Sequence, residues 1–511
     1  MRYSTGLVAA LGASTVAASP TNILGLVEAL SGEAASEVSS LLNLKATTTS
    51  ASATATATKG TAAQKTALAN IGSAASSLAS IAASELASEI STVSSLINQA
   101  VTAAEKIIAG SALGFQNENP FDVVATTVSN NRYSHDLTWP SGPKSNNGQY
   151  VNWTTYNANG VNIGCWLELE YSCYEDWWAS LGTTATDEWD LCEQLGDKCA
   201  SVLDSHYASF INTTSIDKVA AVGVNTLRIP TTYAAWVNVP GSQFYHGDQQ
   251  SYLLKIAKYA IETYGMHVII GLHSLPGGVN DLDIGEAYGH DGWFFNSTNL
   301  AYSLQAVDQM LTFITASGHQ NSFSIEPINE AANNFTNFGS CAGLTSEGAA
   351  YVASYYNSVL AAVAKVDSRI PVVLQDCFCG ESFWSPYFNS TSNLLIDTHV
   401  YYFADAGVYS EYVNPAICGQ AESLVGDGVF PVFVGEWALQ VTYNNTYANR
   451  QTIFDTQRYA WSKYVHGGAM WNIVHYGNAT VSGQGEQEDY WSYIGLINAG
   501  VITKATNASY C

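Results

Sequence analysis

The sequence predicts an α/β fold, a (β/α)8 TIM barrel, preceded by a low-complexity, partly helical N-terminal region rich in Ala, Ser and Thr. Three observations predict the barrel. Eight short apolar runs recur between residues 161 and 471, amphipathic stretches separate them, and polar residues able to do chemistry follow them. Short buried runs alternating with helices imply a parallel sheet covered on both faces. Eight such units in roughly 350 residues fit a barrel with insertions. A doubly wound open sheet would normally carry a glycine-rich phosphate loop after an early strand. The sequence has none there.

In chain order, the expected strands are Val161–Leu169, Thr226–Ile229, His267–Leu272, Ser322–Glu326, Pro371–Gln375, Leu394–Thr398, Val432–Gly435 and Gly468–Trp471. The clearest helical stretches are Gln250–Tyr264, Leu300–Thr315, Gly348–Val366 and Arg450–Val465, where apolar residues return every three to four positions. Composition changes sharply near residue 115. Residues 1–18 read as a signal peptide, with Arg2, a short apolar stretch and small residues before Ala18. Residues 19–115 form an Ala/Ser/Thr-rich extension, helical or disordered, and 116–511 the catalytic barrel. Thr47–Thr58 reads as a flexible, O-glycosylated run.

The chain has 511 residues, a formal net charge of -25 and 12% charged residues. So acidic a surface repels nucleic acid and anionic lipid, but not a neutral polysaccharide. No later run is long and apolar enough for a membrane span. Asn-x-Ser/Thr sites stand at Asn152, Asn212, Asn296, Asn334, Asn389, Asn444, Asn478 and Asn507. Behind a signal peptide they indicate a secreted glycoprotein, extracellular or in a cell wall. The nine cysteines should form disulfides with one left over, in a pairing that spacing leaves open. Cys192 with Cys199, or Cys377 with Cys379, lacks the His-paired spacing of a zinc site.

The strand exits carry Glu168 and Glu170, Arg228, His273, Asn329 with Glu330, His399 and Tyr401, Glu436, and Trp471. Strand C-termini of a barrel converge on one mouth, so these residues should share a cleft. Any one of them has a plain structural explanation, as a solvated loop acid, an ion-pair arginine or a core tryptophan. Their joint placement points to chemistry. Two carboxyl groups suit glycoside hydrolysis, one protonating the leaving oxygen and the other attacking the anomeric carbon. Glu330 and Glu436 follow the fourth and seventh strands and can flank a bond.

Several motifs resemble glycoside hydrolase family 5, and within it the fungal exo-β-1,3-glucanase branch. They are Asn162–Glu170 (Asn-Ile-Gly-Cys-Trp-Leu-Glu-Leu-Glu), Asp187–Gly196, His206–Ile211 and Gly223–Pro230 with Tyr233. Tyr264–His273, Ile325–Glu330, Asp397–Tyr401 and Val434–Trp437 follow in the same order. The resemblance implies a retaining double displacement with Glu330 as acid/base, Glu436 as nucleophile, and no metal or cofactor. It implies substrate-binding roles for Glu170, Arg228, His273, Asn329, His399, Tyr401 and Trp471. Asn329 would bond the sugar 2-hydroxyl, Arg228 would keep Glu436 ionised, Glu170 would bind the terminal sugar and Trp471 would floor its pocket. A monomer is expected, with the N-terminal extension offering a route to cell-wall association.

The chain departs from the family pattern around the cleft. Ala331 follows Asn-Glu where the family has Pro. Gly271 replaces an Asp, residues 273–280 diverge, and the Trp-rich ending is reduced to Trp471–His475. The expected activity is an exo-β-1,3-glucanase acting on β-glucan. A β-1,6-glucanase or a diglycoside-specific β-glycosidase is the alternative, and an inactive glucan-binding wall protein a further one. Exo action depends on loops such as Pro276–Trp293 and Ser340–Ser346.

Overall fold

The computed structural model describes residues 149–404, 408–504 and 510–511. The expected signal peptide, the expected N-terminal extension with its Thr47–Thr58 run, the first residues assigned to the barrel domain and Asn507 lie outside them. Eight strands, β1 (Ala158–Asn162), β2 (Thr226–Thr231), β3 (His267–Leu272), β4 (Phe323–Glu326), β5 (Val372–Gln375), β6 (Leu394–Val400), β7 (Val432–Trp437) and β8 (Gly467–Met470), close a barrel in sequence order. All eight neighbouring pairs are parallel, β8 returning to β1. The helices preceding each next strand are α1 (Thr213–Ala221), α2 (Gln249–Tyr264), α3 (Ser297–Ser317), α4 (Ser346–Asp367), α5 (Glu381–Trp384), α6 (Val413–Ser423) and α7 (Arg450–Tyr464). After β8 comes α8 (Tyr493–Asn498), which packs on α1 and completes the outer ring.

The period of two along each strand builds this architecture. Val161, Leu227, Ile229, Val268, Ile270, Ile325, Leu374, Ile396 and Val434 join the core between sheet and helices. The alternate residues fill the barrel in layers. Ala158, Ile269, Val373, Leu395, Phe433 and Ala469 make an apolar lower layer, closed below by Trp153. Further along β1, β2, β4, β5 and β6 stand Asn162, Arg228, Glu326, Gln375 and Asp397, all buried. The interior therefore turns from apolar to ionic towards the C-terminal mouth.

Sequence and structure differ most at the first strand. It runs Ala158–Asn162 rather than Val161–Leu169. Cys165 adopts a left-handed backbone (φ 59°) and is tied by a disulfide to Cys173, which ends the regular extension. Only Leu167 makes a further bridge, to Thr231. Elsewhere the strands and the four long helices agree with expectation to within a few residues.

Four disulfides join Cys165 to Cys173, Cys192 to Cys199, Cys341 to Cys379, and Cys418 to Cys511. Cys377 is the buried free thiol. Asn152, Asn212, Asn296, Asn389, Asn444 and Asn478 are exposed, and Asn334 is half-buried. Among the described residues, no helix is long and apolar enough to cross a membrane.

Candidate active site

Arg228 organises the ionic layer. From β2 its Nε and Nη2 donate to the two oxygens of Glu326 on β4, at 2.6 and 3.1 Å. Its Nη1 donates to Asn162 Oδ1 at 2.9 Å and to Glu436 Oε1 at 2.7 Å. Nη2 also reaches Asn329 Oδ1 at 3.0 Å. A planar guanidinium with five donors in a fixed fork suits this task, and an ammonium group could not span it. Asn329 is thereby turned so that its amide nitrogen stays free of Arg228, 3.4 Å from His273 Nε2.

Glu436, on β7, is held on its other oxygen by the Tyr401 hydroxyl, which donates to Oε2 at 2.9 Å. Two local features bring it there. A register irregularity between Thr398 and His399 sets His399 opposite Glu436. The preceding Gly435 leaves room for Asp397, since a Cβ on it would lie 2.0 Å from that carboxylate. Gly435 N donates to Asp397 Oδ1 at 2.6 Å.

His399 joins the two acids. Its Nδ1 lies 2.5 Å from Glu330 Oε1 and 3.4 Å from Glu436 Oε2. An oxygen of Glu330 and one of Glu436 are within 4.8 Å of each other. Both side chains are nearly buried. Carboxyl groups about 5–5.5 Å apart suit direct attack, whereas inversion needs roughly 6.5–9.5 Å to admit a water.

Burial and charge compete in this site. Burial raises the Glu436 pKa; His399 and Arg228 lower it, and the net shift is upward. The Arg228 contribution has the expected sign but does not win. Glu326 is pushed up to about 7, by burial first and against the pull of Arg228. Burial works against the charge of His399, yet the negative charges of Glu436 and Asp397, with the hydrogen bond to Glu330, outweigh it and raise the pKa well above the imidazole range. His273 is held neutral by burial, reinforced by the positive charges of Arg228 and His399.

The remaining expected residues frame one side of the mouth. The Trp471 ring stacks on His273 with centroids 5.5 Å apart and planes at 21°. It occupies space that Gly164 leaves, where a Cβ would lie 2.3 Å from the indole. Glu170 stands 3.9 Å from His273 Nε2 and is partly exposed. Burial raises its pKa well above the usual carboxylate value, helped by Asp283, Glu436 and Glu330. All nine expected residues thus gather around one barrel mouth.

Sequence reasoning missed several partners. Glu326 and Asp397 lie inside motifs already noted, and their alternation with Glu330 and His399 was the available signal. Asn162 was likewise at hand. Trp491 stacks on Tyr401 with centroids 5.3 Å apart, from a segment beyond β8 that no motif marks. Among the described residues, Glu330–His399–Glu436, Glu326–Asp397–His399 and Glu168–Glu170–His273 each bring three potential ligand atoms within 4.8 Å. In the first two, these residues form close ion pairs with one another or with Arg228.

Comparison with known proteins bears on the family and the fold. The family model of Cellulase (glycosyl hydrolase family 5) matches residues 196–477. The probable glucan 1,3-beta-glucosidase A of Aspergillus clavatus is 30% identical over 318 residues, 61% of this chain and 72% of the relative. Glucan 1,3-beta-glucosidase 1 of Schizosaccharomyces pombe is 29% identical over 307 residues, 57% and 70% of the two chains. The crystal structure of rutinosidase from Aspergillus niger superposes with a TM-score of 0.69 at 47% identity, covering 70% of this chain and all of that one. An ordered motif set, a closed eight-stranded barrel with paired carboxyls at its mouth, and a family match over more than half its length make this chain a member of glycoside hydrolase family 5.

Proposed function

We propose that this glycosyl hydrolase cleaves a β-glucoside with retention, Glu436 attacking the anomeric carbon and Glu330 serving as acid and then base. The observation that carries this reading is the approach of the two carboxyls across His399, within 4.8 Å. Glu436 is oriented by Arg228 and Tyr401, which grip one oxygen each. In the first step Glu330 protonates the glycosidic oxygen as Glu436 forms the glycosyl ester. In the second, Glu330 takes a proton from water, which attacks the same carbon and releases Glu436. Asn329, its oxygen committed to Arg228, offers its amide N–H groups to the sugar. Glu170, His273 and Trp471 bind the glucose unit.

For the substrate, exo-action on β-1,3-glucan is the first reading, supported by the relatives named glucan 1,3-beta-glucosidase. A second is a diglycoside such as a rutinoside. It is favoured by the higher identity, 47%, along the whole rutinosidase chain. Both readings break a β-bond to glucose and differ in whether that glucose carries another sugar. Kinetics on laminarin, pustulan and rutin separate them. Glucose released from laminarin at the highest kcat/KM is the expected result; intact disaccharide released from rutin with laminarin untouched would replace the first reading by the second. Tight binding of laminarin with no turnover of any β-glycoside would leave only a glucan-binding protein.

The pH profile should follow from burial. The nucleophile must be ionised, and its pKa is raised above the ordinary 4.5. Activity therefore disappears as pH falls through a value higher than that of a free glutamate, and at high pH when the acid loses its proton. A bell-shaped kcat/KM profile with its acidic limb above 4.5 is expected. A flat profile contradicts the two-carboxylate assignment, whereas a limb at or below 4.5 contradicts the upward shift of Glu436 and leaves its role untouched.

We propose that the enzyme is secreted. The exposed Asn-x-Ser/Thr sites and the four disulfides support this.

A further inference from the structure

We infer that Gln375, at the end of β5, is the positioning residue that aims Glu330 into the cleft. This rests on the reading of Glu330 as the acid/base. Gln375 is fully buried, and its Oε1 accepts from Glu330 N at 3.0 Å and from Cys377 N at 2.9 Å.

The need for such a residue follows from Asn329 and Glu330 being consecutive. Successive residues of an extended strand point to opposite faces. Here both side chains face the cleft, Asn329 bonding Arg228 and Glu330 bonding His399. The backbone makes this possible by turning Glu330 into the left-handed region, at φ 42°. A glutamate is strained there and stays only if its surroundings hold it. Cys377, the other residue bonded to Gln375 Oε1, is also left-handed, at φ 50°. One amide oxygen thus stabilises two strained residues on neighbouring loops.

The other contacts hold the same segment from different sides. Asn280 Nδ2 donates to the Glu330 carbonyl at 3.2 Å, and Ala332 N donates to Val279 O at 2.9 Å. Neither touches the Glu330 N–H. Gln375 Nε2 is buried with no hydrogen-bond partner among the described residues. The acceptor half of the amide is therefore the part in use. Leu374 and Val373 beside it are apolar, as strand packing asks. A glutamine at the next position makes sense through what its oxygen does.

Gln375→Met keeps the length and removes the acceptor, whereas Gln375→Glu keeps an acceptor. The test compares kcat/KM on two β-glycosides of the sugar the enzyme releases. One has a poor, alkyl leaving group that needs protonation; the other has a 2,4-dinitrophenyl leaving group that does not. A displaced acid costs about a hundredfold on the first. Gln375→Met should show that loss, stay within about threefold of the parent on the second, and have its kcat there raised by azide. Gln375→Glu should recover at least about tenfold of the loss on the alkyl glycoside.

Equal losses on both substrates, or none on either, would overturn the inference. If Gln375→Met does not accumulate as folded protein, Gln375→Asn, which draws the oxygen back by one methylene, carries the same expectation and the same overturning result. Glu330→Ala is run in parallel. Should it lack the leaving-group split, the acid assignment fails. Should it show the split while the Gln375 variants do not, only the positioning role fails.

Discussion

Substituting Glu436→Gln is expected to lower kcat by roughly 10⁴-fold or more, with the fold retained. The amide is isosteric, so packing in the buried site is preserved, and its oxygen can still accept from Arg228 Nη1. What is lost is the proposed nucleophile. A neutral amide cannot form the glycosyl ester, and the Tyr401 hydroxyl faces a donor where it met an acceptor. Unfolding curves should remain cooperative, so that lost activity is not lost structure. The stereochemistry of azide products separates the two acids. Glu436→Ala with azide should yield the α-glycosyl azide by direct displacement. Glu330→Ala should yield the β-glycosyl azide, because azide then intercepts the ester on Glu436. The opposite pattern would exchange the two roles, and residual activity within tenfold of the parent in Glu436→Gln would remove Glu436 from the chemistry.

Arg228→Met should have the largest effect on stability. It removes the guanidinium that bonds Glu326 twice and Glu436 once, and lies 3.5 Å from Asp397. All three carboxyl groups are buried, and breaking such a cluster by deleting one partner costs about 3–5 kcal/mol. Burial already pushes Glu326 up to about 7 against the pull of Arg228. Without that pull, Glu326 and Glu436 bind protons more strongly in the folded state. Proton uptake on folding is favoured at low pH, so the stability deficit should shrink as pH falls and grow as pH rises. Chemical denaturation at several pH values reads this directly. Activity should fall with stability, because Glu436 and Asn329 both lose their anchor. Arg228→Lys should recover little of either, since one ammonium cannot reach Glu326, Asn162, Glu436 and Asn329 together. A midpoint unchanged in Arg228→Met would show that the ionic layer does not depend on its cation.

The barrel and the meeting of Glu330 and Glu436 at its mouth were legible in the linear sequence because both depend on local order. Each strand is a short apolar run, and the residue after it is carried to the mouth by the direction of the strand alone. Glu330, Glu436, Arg228, His399 and Tyr401 could therefore be selected by position. The first strand misled the same reasoning, since Val161–Leu169 is apolar enough for a strand but is broken by a left-handed Cys165.

Other features depend on distances between residues far apart in the chain, and folding alone decided them. The Cys341–Cys379 and Cys418–Cys511 disulfides, the Trp491–Tyr401 stack and the Gln375 bond to Glu330 join segments brought together by folding. So does the sign of the Glu436 shift. Sequence supplies the neighbouring cations, but the loss of water on burial, which outweighs them, exists only once the barrel has closed.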